Sequence, residues 1–105
     1  MHVEFEAEPF LWQGGEQTWV FIRLPDELAA DIAELAADAG ALGGGRRGFG
    51  TVRVEVQLGS SSWRTSLFPQ ASPRGYLLPL KGAVRKAEGV DAGAPVVVRI
   101  RLLDL

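Results

Sequence analysis

Six residues in the second half of the chain carry the chemistry of an anion site: Arg46, Arg47, Arg64, Ser66, Lys81 and Arg85. Lys81 and Arg85 are four apart, so a helix puts both on one face. Lys81 follows Pro79, which pre-sets a helix entry, and the first turn adds free backbone N–H groups and the positive end of the helix dipole. Arg64 and Ser66 alternate along an extended segment and so share one side of it. Arg46 and Arg47 stand in the glycine-rich stretch Gly43-Gly44-Gly45-Arg46-Arg47-Gly48-Phe49-Gly50, which reads as a connection able to act as a lid. A guanidinium, an ammonium, a hydroxyl and backbone donors together bind an anion through charge-assisted hydrogen bonds. The opposing expectation is internal pairing, with Lys81 and Arg85 neutralising Asp31 and Glu34.

Other chemistries find little support. The chain has no cysteine, so disulfides, thiol catalysis and thiolate metal sites are excluded. Its one histidine, His2, lies at an end expected to fray, which removes most zinc sites and histidine-based triads. No metal and no cofactor is expected. Ser60, Ser61 and Ser62 form a turn with no candidate base beside them, and Ser66 has no His or Asp partner in sequence. Gly43, Gly45 and Gly48 satisfy G-x-G-x-x-G formally, but a dinucleotide loop runs from strand into helix and this one runs from helix into strand.

These residues need elements to position them. At 105 residues the chain is long enough for one domain, over residues 1–105, and its nine aromatic residues supply one modest core. Val3, Phe5 and Ala7 alternate with Glu4, Glu6 and Glu8, which predicts a half-buried strand ended by Pro9. Residues 13–16 read as a turn, and 18–24 as a second, antiparallel strand. Pro25, Asp26 and Glu27 open a helix with Leu28, Ile32, Leu35 and Ala39 on its apolar face, stopped by Gly40. An adjacent stripe of Glu27, Asp31, Glu34 and Asp38 reads as a solvated face. Strands follow over 51–58 and 62–68, with Val52, Val54, Val56 and Leu58 inward and Trp63, Thr65 and Leu67 on one side of the return strand. Residues 69–75 read as a loop, 76–78 as a short strand, 80–88 as a helix ended by Gly89, and 96–103 as a last strand with Arg99 and Arg101 outward.

Charge divides the chain unevenly. Residues 1–40 hold nine acids against one base, a charge of −8, while residues 41–105 hold ten bases against four acids, a charge of +6. The simplest reading is that the halves fold together and offset each other. No apolar run reaches the ~18 residues of a membrane span, and Met1-His2-Val3-Glu4-Phe5-Glu6 is acidic where a signal peptide is basic. The expectation is a cytoplasmic protein that makes no membrane contact.

Two stretches share a plan. Val20-Phe21-Ile22-Arg23-Leu24-Pro25 enters one helix and reaches Val52, Val54 and Val56; Tyr76-Leu77-Leu78-Pro79 enters the other and reaches Val96, Val98 and Ile100. A single-chain, pseudo-twofold, mostly β barrel with two helices accounts for the echo. The second copy, from Leu77-Leu78-Pro79-Leu80-Lys81 through Val84-Arg85 to Gly89 and Val96, is similar to the core of AbrB/MazE-type swapped-hairpin barrels. That resemblance implies DNA binding through basic residues, although here both copies lie in one chain and the usual Gly-Asp is Gly93-Ala94.

A longer match comes from Arg46-Arg47-Gly48-Phe49-Gly50, Trp63-Arg64-Thr65-Ser66-Leu67-Phe68-Pro69 and Tyr76-Leu77-Leu78-Pro79-Leu80-Lys81-Gly82-Ala83-Val84-Arg85-Lys86-Ala87, in order. Together these resemble a small bacterial family called domain of unknown function nineteen-oh-five. The resemblance implies a double-split β-barrel and no established activity. The function expected is non-catalytic binding of an anionic small molecule or partner protein by a monomer. A DNA- or RNA-binding barrel is the runner-up, and a small-molecule enzyme comes third.

Overall fold

The structure, a computed structural model, describes residues 2–14, 17–43, 51–71 and 74–103. Strands alternate buried and exposed residues because one side of each faces a shared core. The elements are β1 (His2–Ala7), β2 (Phe10–Gly14), β3 (Gln17–Arg23), α1 (Asp26–Gly43), β4 (Val52–Leu58), β5 (Ser61–Ala71), β6 (Arg74–Leu80), α2 (Gly82–Glu88) and β7 (Val96–Leu102). The strands form one antiparallel seven-stranded sheet in the order β1-β7-β4-β5-β6-β3-β2. It curls into a half-barrel with two helices, a mostly β fold. Strand β5 bridges its two flanks, pairing with β4 through Ser61–Leu67 and with β6 from Phe68 onward.

Val52, Val54, Val56 and Leu58 of β4 all face the core, as do Leu67 of β5 and Val98, Ile100 and Leu102 of β7. Val20 and Ile22 of β3 and Leu78 of β6 complete the other flank. Among the described residues no polar or charged residue is fully buried. Burial at about 25 cal/mol per Å² of apolar surface is therefore the term that holds the sheet curled.

Several sequence expectations give way here. β1 pairs with β7 rather than with the strand that follows it, because Phe10-Leu11-Trp12 forms β2 and takes β3 as partner. His2 is not at a loose end; it lies in β1 opposite Arg101. Most of the expected 69–75 loop is strand: β5 runs on to Ala71 and β6 begins at Arg74. Helix α1 continues to Gly43, past the expected stop at Gly40. It buries Ala29, Ile32 and Ala36, whereas Leu28 is half-buried and Leu35 is exposed. Small alanines let the helix approach the sheet closely, and that outweighs the larger transfer energy of the leucine stripe. Helix α2 begins at Gly82, with Lys81 in extended conformation as its N-cap.

Candidate functional site

The alternation of β1, β7, β4 and β5 sends their polar residues to the outer face of one flank. Cross-strand register then decides which of them meet. His2 lies opposite Arg101, Arg101 opposite Glu55, and Glu55 opposite Arg64, making one row across four strands. The next row runs Glu4, Arg99, Gln57, Ser62. Arg53 stands opposite Ser66. A groove of about 360 Å³ opens along these rows, bordered by His2, Glu55, Gln57, Ser62, Arg99 and Arg101.

The electrostatics of the groove turn on one carboxylate. Arg101 donates from Nη2 to Glu55 Oε1 at 3.0 Å, and Arg64 Nε approaches Glu55 Oε2 at 3.6 Å. The hydrogen bond and charge of Arg101, followed by the charge of Arg64, hold the Glu55 carboxyl below the usual carboxylate range. Arg99 donates from Nε to Glu4 Oε1 at 2.6 Å. Among the described residues Arg53 has no carboxylate partner.

Of the six residues expected to form the site, Arg64 and Ser66 share this outer face. Lys81 and Arg85 stand on a different element. Helix α2 packs against β5, and its Glu88 accepts hydrogen bonds from Ser61 Oγ at 2.6 Å and Ser60 Oγ at 3.2 Å. Ser61 shares the strand side of Trp63 and Leu67, so α2 adjoins the side opposite to Arg64. Arg46 and Arg47 lie outside the described residues.

The internal pairing of Lys81 and Arg85 with Asp31 and Glu34 is not found. Among the described residues the one ion pair of α1 is Asp26 with Arg23. Arg85 Nε and Trp63 Nε1 are buried donors that meet no acceptor.

Sequence reasoning missed Arg53 and Arg101 as site residues. Their outward parity was legible, but their neighbours depend on β7 lying beside β4. It also found no base near the serine turn, where Glu88 now stands. Hydrogen bonds from the Ser61 side chain and from the Ser60 backbone and side chain lower the Glu88 pKa. The contact fastens α2 to the β4–β5 turn. Among the described residues no cluster of three His, Cys, Asp or Glu could hold a metal ion, and no helix is long and apolar enough to cross a membrane.

A family model described as a domain of unknown function, DUF1905, matches residues 5–100. No curated protein matches.

Proposed function

Because the chain belongs to the DUF1905 family, whose description names no activity, its function has to be argued from its own chemistry, and we propose that it is a non-catalytic domain binding an anionic small ligand or partner on the arginine-bearing outer face. Arg64, Ser66, Arg53 and Arg101 are the groups that would hold it. Lys81 and Arg85 on α2 are a second, separate pair of cations, and Arg46 and Arg47 would act from the connection before β4.

The finer fold reading supports this assignment. We read the half-barrel as a double-split barrel made of two pseudo-twofold copies, β1-β2-β3-α1-β4 and β5-β6-α2-β7. Pro9, between β1 and β2, corresponds to Pro69 within β5, and Leu24-Pro25 to Leu78-Pro79. Transferred in this way, the pairing of Phe10 with Phe21 becomes that of Gln70 with Gly75, and Leu11 with Val20 becomes Ala71 with Arg74. Likewise Phe5 with Val98 becomes Thr65 with Val54, and Val3 with Ile100 becomes Trp63 with Val56. The strand order itself is unchanged by the exchange.

Under the same exchange, the Glu4–Arg99 pair corresponds to Arg64–Glu55 with its signs reversed. Those two pairs cancel in charge. Arg101 corresponds to Gln57, and Arg53 to Val97, so these two arginines are the cations left over, against one leftover carboxylate, Glu6, which corresponds to Ser66. The observation that carries the proposal is that Glu55 alone serves both Arg64 and Arg101. The Arg64–Glu55 contact is long and its arginine is 63% exposed, so solvent screening leaves it weak. A charge-assisted bond to a ligand contributes roughly 1.5–3 kcal/mol, so an anion would displace Glu55 from Arg64.

The second reading, DNA or RNA binding, draws on the same arginines, spread over three adjacent strands. Titration with tripolyphosphate and with a short DNA duplex over a salt series separates the two. The proposal expects tripolyphosphate to bind with a salt dependence shallower than that of a duplex. Duplex binding whose affinity falls steeply with salt, without tripolyphosphate binding, would replace it by the second reading.

A further inference from the structure

The other flank of the half-barrel has an outer face of opposite character. Phe10 and Trp12 of β2 pair with Phe21 and Trp19 of β3, and Phe21 pairs with Pro79 of β6. One row further on, Phe68 of β5 pairs with Leu77, which pairs with Arg23. The Phe21 ring contacts three others: Phe10 at 6.2 Å, Trp12 at 6.4 Å and, stacked, Trp19 at 6.4 Å. Yet Trp12 is 52% exposed, Phe68 46%, Trp19 45% and Phe10 37%. A contiguous apolar face of this kind often marks an interaction surface.

We propose that this aromatic face is a self-association surface, on which a second copy of the chain packs its own β2-β3-β6 face about a twofold axis. Area and charge select that occupant. Four aromatic side chains of this size, about half exposed, offer about 400 Å² of surface. That is half of the ~800 Å² per partner in a standard interface, and Phe21, Leu77, Pro79 and the strands between them extend it. Two sheet faces pack with side chains interleaved at a spacing of about 10 Å, which suits flat rows of rings.

Among the described residues the paired rows of this face hold one charged group, Arg23, whose guanidinium already donates to Gln70 and pairs with Asp26, while exposed Lys81 stands at the margin just past Leu80. Closing the face therefore strands no lone charge. Phosphates of nucleic acid or acidic lipid call for several unpaired cations, and among the described residues this face offers only Lys81 at its margin, just past β6, beside the already paired Arg23. The whole chain carries only −2, so two copies repel each other weakly. The sequence alone suggested a monomer; exposure of these rings is what revises that expectation.

Sedimentation velocity of the full chain, from low micromolar to several hundred micromolar, tests the proposal. A reversible monomer–dimer equilibrium is expected, converted to monomer by Trp12→Lys and, on a different strand, by Phe68→Lys, with the circular dichroism spectrum unchanged. Arg101→Gln, on the opposite flank, leaves the dimer intact. A chain that stays monomeric throughout overturns the proposal, as does a dimer that survives both substitutions. Monomers that bind neutral lipid vesicles through Trp12 overturn it as well, by assigning the face to a membrane.

Discussion

Glu55 is a single carboxylate set between two arginines, and its ionisation is tied to both. Arg101 and, less strongly, Arg64 depress its pKa, so the folded state releases that proton more readily than the unfolded chain does. A depressed acid contributes stability that is present above the unfolded value of about 4.3 and is lost as pH falls through the folded value. Glu55→Gln should therefore flatten the acid limb of a stability–pH curve, measured by urea denaturation between neutral pH and the acid range. The same substitution frees Arg64 and Arg101 from their competitor. Affinity for tripolyphosphate should rise about three- to tenfold, the equivalent of ~0.7–1.4 kcal/mol. An unchanged affinity would mean that Glu55 does not compete with the ligand.

At the scale of elements, helix α2 is held at its C-terminal end by backbone geometry that side-chain chemistry then uses. Gly89 ends it in the left-handed region at φ 64°, with open space where a Cβ would go. Gly59, in the β4–β5 turn at φ 59°, has the Glu88 carboxyl lying where its Cβ would be. Gly89→Ala should cost only the backbone strain, ~1–2 kcal/mol. Gly59→Ala should cost more, because it also drives Glu88 off Ser60 and Ser61. Equal losses in thermal unfolding would mean that the Glu88 clasp contributes nothing to stability.

These elements also mark what the sequence could and could not tell. Inward and outward residues of β4, β5 and β7 were legible because a strand's period of two survives any choice of partner. Arg64 and Ser66 were placed on one side for the same reason. The buried face of α1 was legible in part, since Ile32 is buried and Leu28 packs against the core, but exposed Leu35 was misread, because leucines look more buried than alanines until closeness of approach is known. Strand β2 went unseen because Phe10, Leu11 and Trp12 show no polar alternation. The crowding of Arg64 and Arg101 onto Glu55 needed the strand order, which joins segments far apart in sequence.

For the molecule as a whole, the proposed reading as two copies makes equivalence testable. On that reading Val54 and Val98 would correspond, and both are fully buried. Each change to Ala should therefore cost a similar amount, about 2 kcal/mol by urea denaturation. A cost confined to one of them would break the equivalence. On the same reading Arg101 and Arg53 would stand where the other copy has Gln57 and Val97, which makes them the two arginines to test. Isothermal titration with tripolyphosphate at low salt, comparing the wild-type chain with Arg101→Gln and Arg53→Val, therefore tests the central claim most directly. Saturable binding weakened about tenfold by each substitution, a loss of about 1.4 kcal/mol, is the predicted result. No binding by the wild-type chain, or binding that both variants retain in full, would contradict it.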